Sequence, residues 1–181
     1  MSRPMRVKTP ILKITLIIVL AVAAAVIYFS TRKAPQPAAE KQNAGQEIKT
    51  RKITIYYYDP QADKDESGNV LCTRAGLVPL AREIPLTNTP IQDAINLLLK
   101  GDLTAGEKQS GITTEFPLPG LVLIGADLAG GILTLEFDDP LNKTGGGACR
   151  SGVLWFQIEA TARQAAGVDR VRFVPDTLFQ P

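Results

Sequence analysis

An uncharged apolar run near the N-terminus constrains this chain more than any other feature of its sequence. Residues 14–29 (ITLIIVLAVAAAVIYF) carry no charge, and only Lys13 separates them from two further apolar residues. About twenty helical residues cross the roughly 30 Å of membrane hydrocarbon, and a lysine at a helix end can extend to the headgroups. The run therefore predicts a transmembrane helix over residues 14–29.

The charges on the two sides of this run predict its orientation. Four basic residues precede it within residues 1–13, and two follow it directly, at Arg32 and Lys33. The more basic of two short flanks stays in the cytoplasm. We therefore expect a single-pass membrane protein in which residues 1–13 form a cytoplasmic tail and residues 30–181 lie outside the cytoplasm.

A cleaved signal peptide is the alternative explanation of the same run. The residues that leave it, 28–33 (YFSTRK), lack the small-x-small pattern that a signal peptidase requires. No cysteine stands just after the run, so lipid anchoring is not indicated. The pattern favours an uncleaved signal anchor.

The charge of the chain is divided between its two parts. Residues 1–51 hold nine Lys/Arg and two Asp/Glu, while residues 52–181 hold eleven Lys/Arg and sixteen Asp/Glu. An acidic domain repels phosphate backbones, so nucleic-acid binding is not expected. Histidine is absent, which removes the commonest general base and metal ligand. Residues 30–51 are rich in Ala, Pro, Gln, Lys and Glu and are expected to be a flexible linker.

The domain at 52–181 alternates strand and helix signals. We predict strands at 52–58, 70–73, 78–84, 121–128, 132–137 and 171–175, and helices at 90–100 and 151–166. The glycines at Ala129-Gly130-Gly131 predict that the strands at 121–128 and 132–137 form a hairpin. Thr89 is the predicted N-cap of the first helix, with Gln92 completing a capping box. The order predicts an α+β fold with a mixed or antiparallel sheet of about four to five strands and two helices on one face.

Several stretches of this domain form a recognisable set: 78–85 (VPLAREIP), 94–101 (AINLLLKG), 107–117 (EKQSGITTEFP), 145–149 (GGGAC) and 168–171 (VDRV), together with the hairpin and with Gln157, Ile158 and Thr161. In these stretches the domain resembles the GerMN domain, a module of spore-germination and sporulation proteins of the GerM type. The resemblance covers about residues 52–181. It implies a non-enzymatic module of the bacterial cell envelope, without a cofactor, that binds a protein partner or assembles with itself in cell-wall remodelling or sporulation-like processes. The alternative is a module that binds peptidoglycan, or a weak hydrolase of it.

The two cysteines, Cys72 and Cys149, are an even pair in a domain expected outside the cytoplasm, which suggests a disulfide. The resemblance also implies this pairing, because many similar domains carry cysteines at these places. The bond would contribute on the order of 4 kcal/mol if chain entropy dominates. Two unrelated buried thiols are the alternative.

An acidic segment is a weak calcium candidate. Asp63, Asp65 and Ser67, followed by Gly68, match the opening of an EF-hand loop, in which oxygen ligands alternate along the chain. The twelfth position is Arg74 where the motif requires a glutamate. A solvated acidic turn is therefore the preferred interpretation.

Two further groups are candidates for chemistry. Asp138 and Asp139 follow the predicted strand at 132–137, and because adjacent residues of an extended chain point to opposite faces, they make a poor acid/base pair. Residues 145–147 are three glycines before a helix and could approach a phosphate, but the P-loop and dinucleotide patterns are absent. The preferred interpretations are a solvated sheet face for Asp138 and Asp139 and a flexible turn for residues 145–147.

Aromatic clusters could mark a surface for a partner or a glycan. Tyr56, Tyr57 and Tyr58 are consecutive on a strand and cannot all face one core, so Tyr57 is expected either to be exposed or to cover the sheet. One of Trp155 and Phe156 is expected to face outward from the second helix.

The anchor makes a direct prediction. The full chain should sediment with cell membranes at full length and resist alkaline extraction, because residues 14–29 hold it in the bilayer. Protease added to intact spheroplasts should degrade the domain. A soluble form that begins near Ser30 would contradict the uncleaved anchor.

Overall fold

The computed structural model describes residues 49–180. The predicted tail, transmembrane segment and most of the linker lie outside these residues. None of the helices between residues 49 and 180 is long and apolar enough to cross a membrane. The strands are β1 (Thr50–Tyr58), β2 (Leu77–Pro85), β3 (Val122–Ala129), β4 (Ile132–Asp138) and β5 (Arg170–Val174), and the helices are α1 (Pro90–Lys100), α2 (Ala105–Gln109) and α3 (Ala148–Ala166).

The strands form two sheets, so the α+β class is confirmed but the single predicted sheet is wrong. β1 pairs antiparallel with β2, and a second sheet has the order β3-β4-β5. β3 and β4 are an antiparallel hairpin, whereas β4 and β5 run parallel. The turn of the hairpin is Gly130-Gly131, with φ of 56° and 74°, as the pair of glycines predicted.

The free edge of β1 is covered by side chains and a loop instead of by another strand. The backbone N–H of Tyr56 donates to the hydroxyl of Thr161 on α3 at 3.0 Å. Two residues farther along the same edge, Tyr58 and Thr113 exchange backbone hydrogen bonds. These contacts satisfy an edge that would otherwise expose unpaired groups, and they separate the two sheets.

One apolar core serves both sheets. Helix α1 packs against α3, and both helices contact β1. Helix α3 also contacts β4 and β5, while α1 reaches β3. The most deeply buried apolar side chains are Ile55, Tyr57, Ile95, Leu98, Leu133, Leu135, Leu154 and Ile158.

Helix α1 has the predicted bounds but not the predicted cap. Thr89 is at the N-cap and Pro90 begins the helix, yet the Thr89 side chain makes no capping hydrogen bond. The predicted capping box with Gln92 is therefore wrong. Gly101 ends the helix at φ 69°, and a Cβ there would lie 2.0 Å from the Phe116 carbonyl oxygen. Only glycine fits that position.

A true capping box begins α2, a helix that the patterns in the sequence analysis do not predict. The Thr104 hydroxyl accepts from the Glu107 N–H, and the Glu107 carboxylate accepts from the Thr104 N–H. The same carboxylate is held by both terminal nitrogens of Arg82 at 2.8 Å. The hydrogen bonds from Arg82 and Thr104 lower the pKa of Glu107, and burial raises it. The hydrogen bonds outweigh burial, so this pKa lies below its usual value.

Two other boundaries differ from the predictions. The predicted strand at 70–73 is wrong, because only Val70 forms a single bridge, with Lys64. Helix α3 begins at Ala148 instead of residue 151, so Cys149 is in its first turn. A three-residue turn of 3-10 helix from Arg74 to Gly76 connects this loop to β2.

The bond between α3 and the edge of β1 can be tested by one substitution. Thr161 is fully buried, so Thr161→Val leaves the Tyr56 N–H without its acceptor. We expect the free energy of unfolding to fall by roughly 1–3 kcal/mol in urea titration. Thr161→Ser keeps the hydroxyl and should recover most of that loss. Equal losses in both variants would show that the methyl group, and not the hydrogen bond, matters.

Candidate functional site

The main cleft among the described residues lies beside the start of helix α3. It has a volume of about 550 Å³. Its floor is α3 from Ala148 to Gln157, and its walls are the loop after β1 and the segment from Thr113 to Glu115. Clefts of this size hold small ligands or short peptides.

The two cysteines form part of the wall of this cleft. Cys72 comes from the loop after β1 and Cys149 from the first turn of α3, and the structure pairs them with Cα atoms 5.2 Å apart. This separation is in the range of disulfides. The bond ties the loop to the helix and so fixes the width of the cleft.

The end of the cleft is the N-terminus of α3, which carries no protein cap. The N-cap is Gly147, and the first turn contains no acidic residue. Among residues 49–180, no acceptor is bonded to the backbone N–H groups of Ala148, Cys149 or Arg150. An uncapped helix start combines free donors with the positive end of the helix dipole, which favours an anion.

Arg150 fastens the glycine turn that leads into the helix. Its guanidinium donates to the carbonyl oxygens of Lys143, at 2.8 Å, and Gly145. It also forms an ion pair with Glu115, whose side chain is half exposed at the cleft wall. The predicted flexible turn at 145–147 is therefore held by hydrogen bonds at its first glycine.

Gln157 lies at the back of the cleft and is 1% exposed. Its side-chain nitrogen donates to the Val153 carbonyl at 3.2 Å. Its oxygen Oε1 has no hydrogen-bond partner. A buried acceptor without a donor is uncommon, because the missing hydrogen bond costs about 1–3 kcal/mol.

The loop that forms one wall is organised around Asp63, which is 2% exposed. Its carboxylate accepts from the Tyr58 hydroxyl at 2.5 Å, and from the N–H and hydroxyl of Thr73 at 2.5 and 2.6 Å. Burial raises the pKa of this carboxyl, but the hydrogen bonds from Thr73 and Tyr58 outweigh it and leave the pKa below its usual value. Burial and the same bond raise the pKa of Tyr58.

Asp63 and Asp65, the two acidic residues of the calcium candidate, make separate sets of hydrogen bonds in this loop. Asp65 accepts from the backbone N–H groups of Ser67 and Asn69 at 2.9 and 2.8 Å, which is a local turn distinct from the Asp63 network. Within residues 49–180, no group of three or more acidic or cysteine side chains is arranged to hold a metal. The geometry favours the acidic-turn interpretation of Asp63, Asp65 and Ser67, and calcium binding stays a prediction without structural support.

Asp138 and Asp139 do not meet at a common site. Asp139 is used by its own loop: its carboxylate accepts from the N–H of Lys143 at 2.7 Å and of Thr144 at 2.9 Å. The Thr144 hydroxyl also donates to it and accepts from the N–H of Phe179. Asp138 is exposed at the end of β4. The two carboxylates are thus separated in role.

The structure decides between the two expectations for Tyr57, exposure to solvent or burial over the sheet. Tyr57 is fully buried in the core, where its hydroxyl is 3.4 Å from the Leu98 carbonyl oxygen, and burial raises its pKa to about 12. Tyr58 is buried on the other side of the strand because the loop covers it, and its ring leaves no room for a Cβ at Gly76. The expectation of an exposed Tyr57 is wrong.

The side chain of Arg74 stacks on the aromatic pair of α3, Trp155 and Phe156. Trp155 is 38% exposed, as the outward residue of the pair was expected to be. The guanidinium of Arg74 lies 4.4 Å from the ring centre of Phe156 and 5.4 Å from that of Trp155, and it forms an ion pair with Glu159. This stack attaches the 3-10 turn to α3.

Sequence reasoning missed the polar residues of the cleft. Gln157 had a legible signal, because it interrupts the apolar stripe that includes Leu154 and Ile158. Arg150 and Glu115 had none, since they are 35 residues apart and meet only through the fold.

Comparison with known proteins identifies the family. A family model described as "Germane: Sporulation and spore germination" matches residues 54–176. The chain belongs to the Germane family. This confirms the resemblance to the GerMN domain, and it places the cleft within a domain type associated with sporulation and spore germination. A comparison with curated proteins gives no match.

One solved structure is similar to the Germane domain described above. It contains the tandem GerMN domains of the sporulation protein GerM from Bacillus subtilis, with a TM-score of 0.50 and 22% sequence identity. The alignment covers 76% of this chain and 44% of that one. This chain therefore spans less than half of that protein, and the likeness supports the fold alone.

The Asp63 network predicts a pH-dependent stability. Asp63→Asn removes the charge that accepts three hydrogen bonds, so the free energy of unfolding at pH 7 should fall by roughly 1.5–3 kcal/mol. Because the pKa is lowered in the folded state, this difference is full above the ordinary aspartate pKa and shrinks as the pH falls below it. Urea titrations at several pH values measure it.

Glu66→Gln provides the matched control, because Glu66 is exposed in the same loop. It should change stability by less than about 0.5 kcal/mol at every pH. A constant difference between Asp63→Asn and the natural protein from pH 7 to pH 3 would contradict the assigned role.

Proposed function

We propose that this protein is a membrane-anchored interaction module of the bacterial cell envelope, whose extracytoplasmic Germane domain binds a protein partner or a second copy of itself. The observation that carries the proposal is an exposed apolar patch at the open edge of β3, consisting of Val122, Ile124 and Leu141. These side chains are 51%, 58% and 62% exposed. Apolar groups concentrated at an unpaired strand edge mark a docking surface more often than a solvated one.

The sheet next to this patch supports the same function. Its outward-facing residues are acidic on β3 and β4, at Asp127, Glu136 and Asp138, and basic on β5, at Arg170 and Arg172. None of these five forms an ion pair with another residue of 49–180. A divided charge pattern beside an apolar edge gives a partner both an anchor and an orientation.

The shape of the β3 edge also supports its role as a docking site. A bulge between Leu123 and Gly125 turns the Ile124 side chain outward. Such a bulge interrupts the regular pairing that leads to aggregation while leaving a side chain available for a specific contact. Strand β2, whose outer edge is interrupted by Pro79 and Pro85, offers less to a partner.

Cross-linking in cells tests this proposal. The full chain with its anchor is cross-linked, purified and examined for attached chains. Ile124→Lys should abolish the cross-linked species and leave the melting temperature nearly unchanged, because the side chain is exposed.

The matched control is Leu86→Lys, which changes a residue of similar exposure in the loop after β2. It should leave the cross-linked species unchanged. Equal yields of cross-linked species in the natural protein and the Ile124→Lys variant would contradict the proposal.

A second function, binding of a cell-wall ligand, is favoured by the cleft at the start of α3. Its uncapped helix terminus is the group that a ligand would engage. Hydrolysis is not part of the proposal, because Asp138 and Asp139 do not converge on this cleft. Turnover of purified peptidoglycan by the full chain, lost in Asp138→Asn, would contradict the non-enzymatic assignment.

A further inference from the structure

We propose that the β3 edge of one copy of this chain pairs antiparallel with the β5 edge of a second copy, so that the three-stranded sheet continues from one molecule into the next. The inference rests on the function proposed above, because it names a second copy as the partner of the β3 edge. It adds the surface that this partner brings to the contact, the outer edge of β5.

The three-stranded sheet ends in two open edges. Within residues 49–180, β3 and β5 form backbone hydrogen bonds only with β4. The edge of β1, by contrast, is covered by Thr161 and Thr113. The outer sides of β3 and β5 therefore present rows of backbone donors and acceptors that a strand of another chain can pair with.

The directions of the strands permit antiparallel pairing between copies. β4 runs antiparallel to β3 and parallel to β5, so β3 and β5 run in opposite directions within one molecule. When a second copy continues the sheet in the same orientation, its β3 lies beside β5 of the first copy and runs opposite to it. Antiparallel pairs are slightly more stable per residue than parallel pairs.

The charges on the two edges match in register. Thr134 on β4 pairs with Asp127 on one side and with Arg172 on the other, so these three residues form one row across the sheet. A second copy that continues the sheet in this register brings its Asp127 beside Arg172, at the roughly 5 Å that separates directly opposed residues. Both side chains are exposed, and neither forms an ion pair within residues 49–180. The contact between copies would supply the missing partner of each.

Apolar residues of the two edges match one row farther along. Glu136 pairs with Gly125 on β3 and with Val174 on β5. The Val174 side chain of one copy therefore arrives beside Gly125 of the next, where an added Cβ would meet a carboxylate oxygen of Glu136 at 3.8 Å and nothing closer outside the adjacent residues. This space lies next to Ile124, which is exposed at the bulge. Contact between Val174 and Ile124 removes apolar surface from water that a single copy leaves exposed.

A symmetric contact between two β3 edges fits less well. It would join the acidic faces of both copies, which carry Asp127, Glu136 and Asp138, and like charges across an interface oppose binding. The β5 edge supplies the opposite charge, at Arg170 and Arg172. A head-to-tail contact uses a different surface on each copy. A change at either edge should therefore weaken it, and opposite changes on two copies should restore it.

Charge reversal at the two edges tests the inference in cells. Two full chains with different epitope tags are expressed together, cross-linked, captured through one tag and probed for the other. Asp127→Arg in both chains opposes two arginines, and Arg172→Asp in both chains opposes two aspartates. Each of these variants should lower the cross-linked yield on the order of fivefold, because an attractive cross-strand pair becomes a repulsive one.

The decisive sample combines the two variants. One tagged chain carries Asp127→Arg and the other carries Arg172→Asp, so opposite charges meet again wherever differently tagged chains pair. The yield should return to within about twofold of the natural pair. Glu66→Arg in both chains is the matched control, because Glu66 is exposed in a loop outside both edges, and it should leave the yield unchanged. The melting temperature of each variant should stay near that of the natural protein, because the changed side chains are exposed.

An unchanged yield with Arg172→Asp in both chains would overturn the inference, because β5 would then lie outside the contact. So would a mixed sample that gives no more cross-linked product than the two single variants. Capture of a different protein by the natural chain, without the second tag, would exclude the second copy and leave docking at the β3 edge intact. That docking fails on another result, an unchanged cross-linked species in Ile124→Lys, so the two proposals are distinguished.

Discussion

A strand with one unpaired edge exposes a row of backbone donors and acceptors, and the whole arrangement of this domain depends on how β1 avoids that. Its outer edge receives the Thr161 hydroxyl from α3 and the backbone of Thr113. Because a helix and a loop instead of a strand lie there, the sheet ends at β1, and the second sheet contacts the same helix α3 through β4 and β5. The position of α3 then determines both the shared core and the cleft at its N-terminus.

The acidic residues of the domain serve its internal structure more than its chemistry. Asp63 organises the loop after β1, Asp139 organises the loop before α3, and Glu107 caps α2 and holds Arg82. Each carboxylate replaces backbone partners that an irregular segment cannot supply, which is why the loops around the cleft have a defined shape.

The sequence predicted the elements whose signals are local. The bounds of α1, the glycine hairpin between β3 and β4, and the pair of strands β1 and β2 all follow from short patterns of proline, glycine and alternating apolar residues. The capping box of α2 is equally local, at Thr104 and Glu107, but the glycines and prolines around it favour an irregular connection and mask the short helix. The burial of both Tyr57 and Tyr58 could not be predicted, because it depends on a loop that folds back over one face of the strand. The division into two sheets and the meeting of Arg150 with Glu115 depend on contacts distant in sequence, which no local pattern encodes.

We propose that this domain is held outside the cytoplasm, with its cleft fixed by the bond between Cys72 and Cys149. The most direct test is a thiol titration of the full chain, isolated from cells under non-reducing conditions with immediate alkylation and then denatured. Cytoplasmic thiols stay reduced, whereas a paired cysteine in the envelope does not react. We expect no free thiol per chain, and a value of two would contradict both the pairing and the compartment.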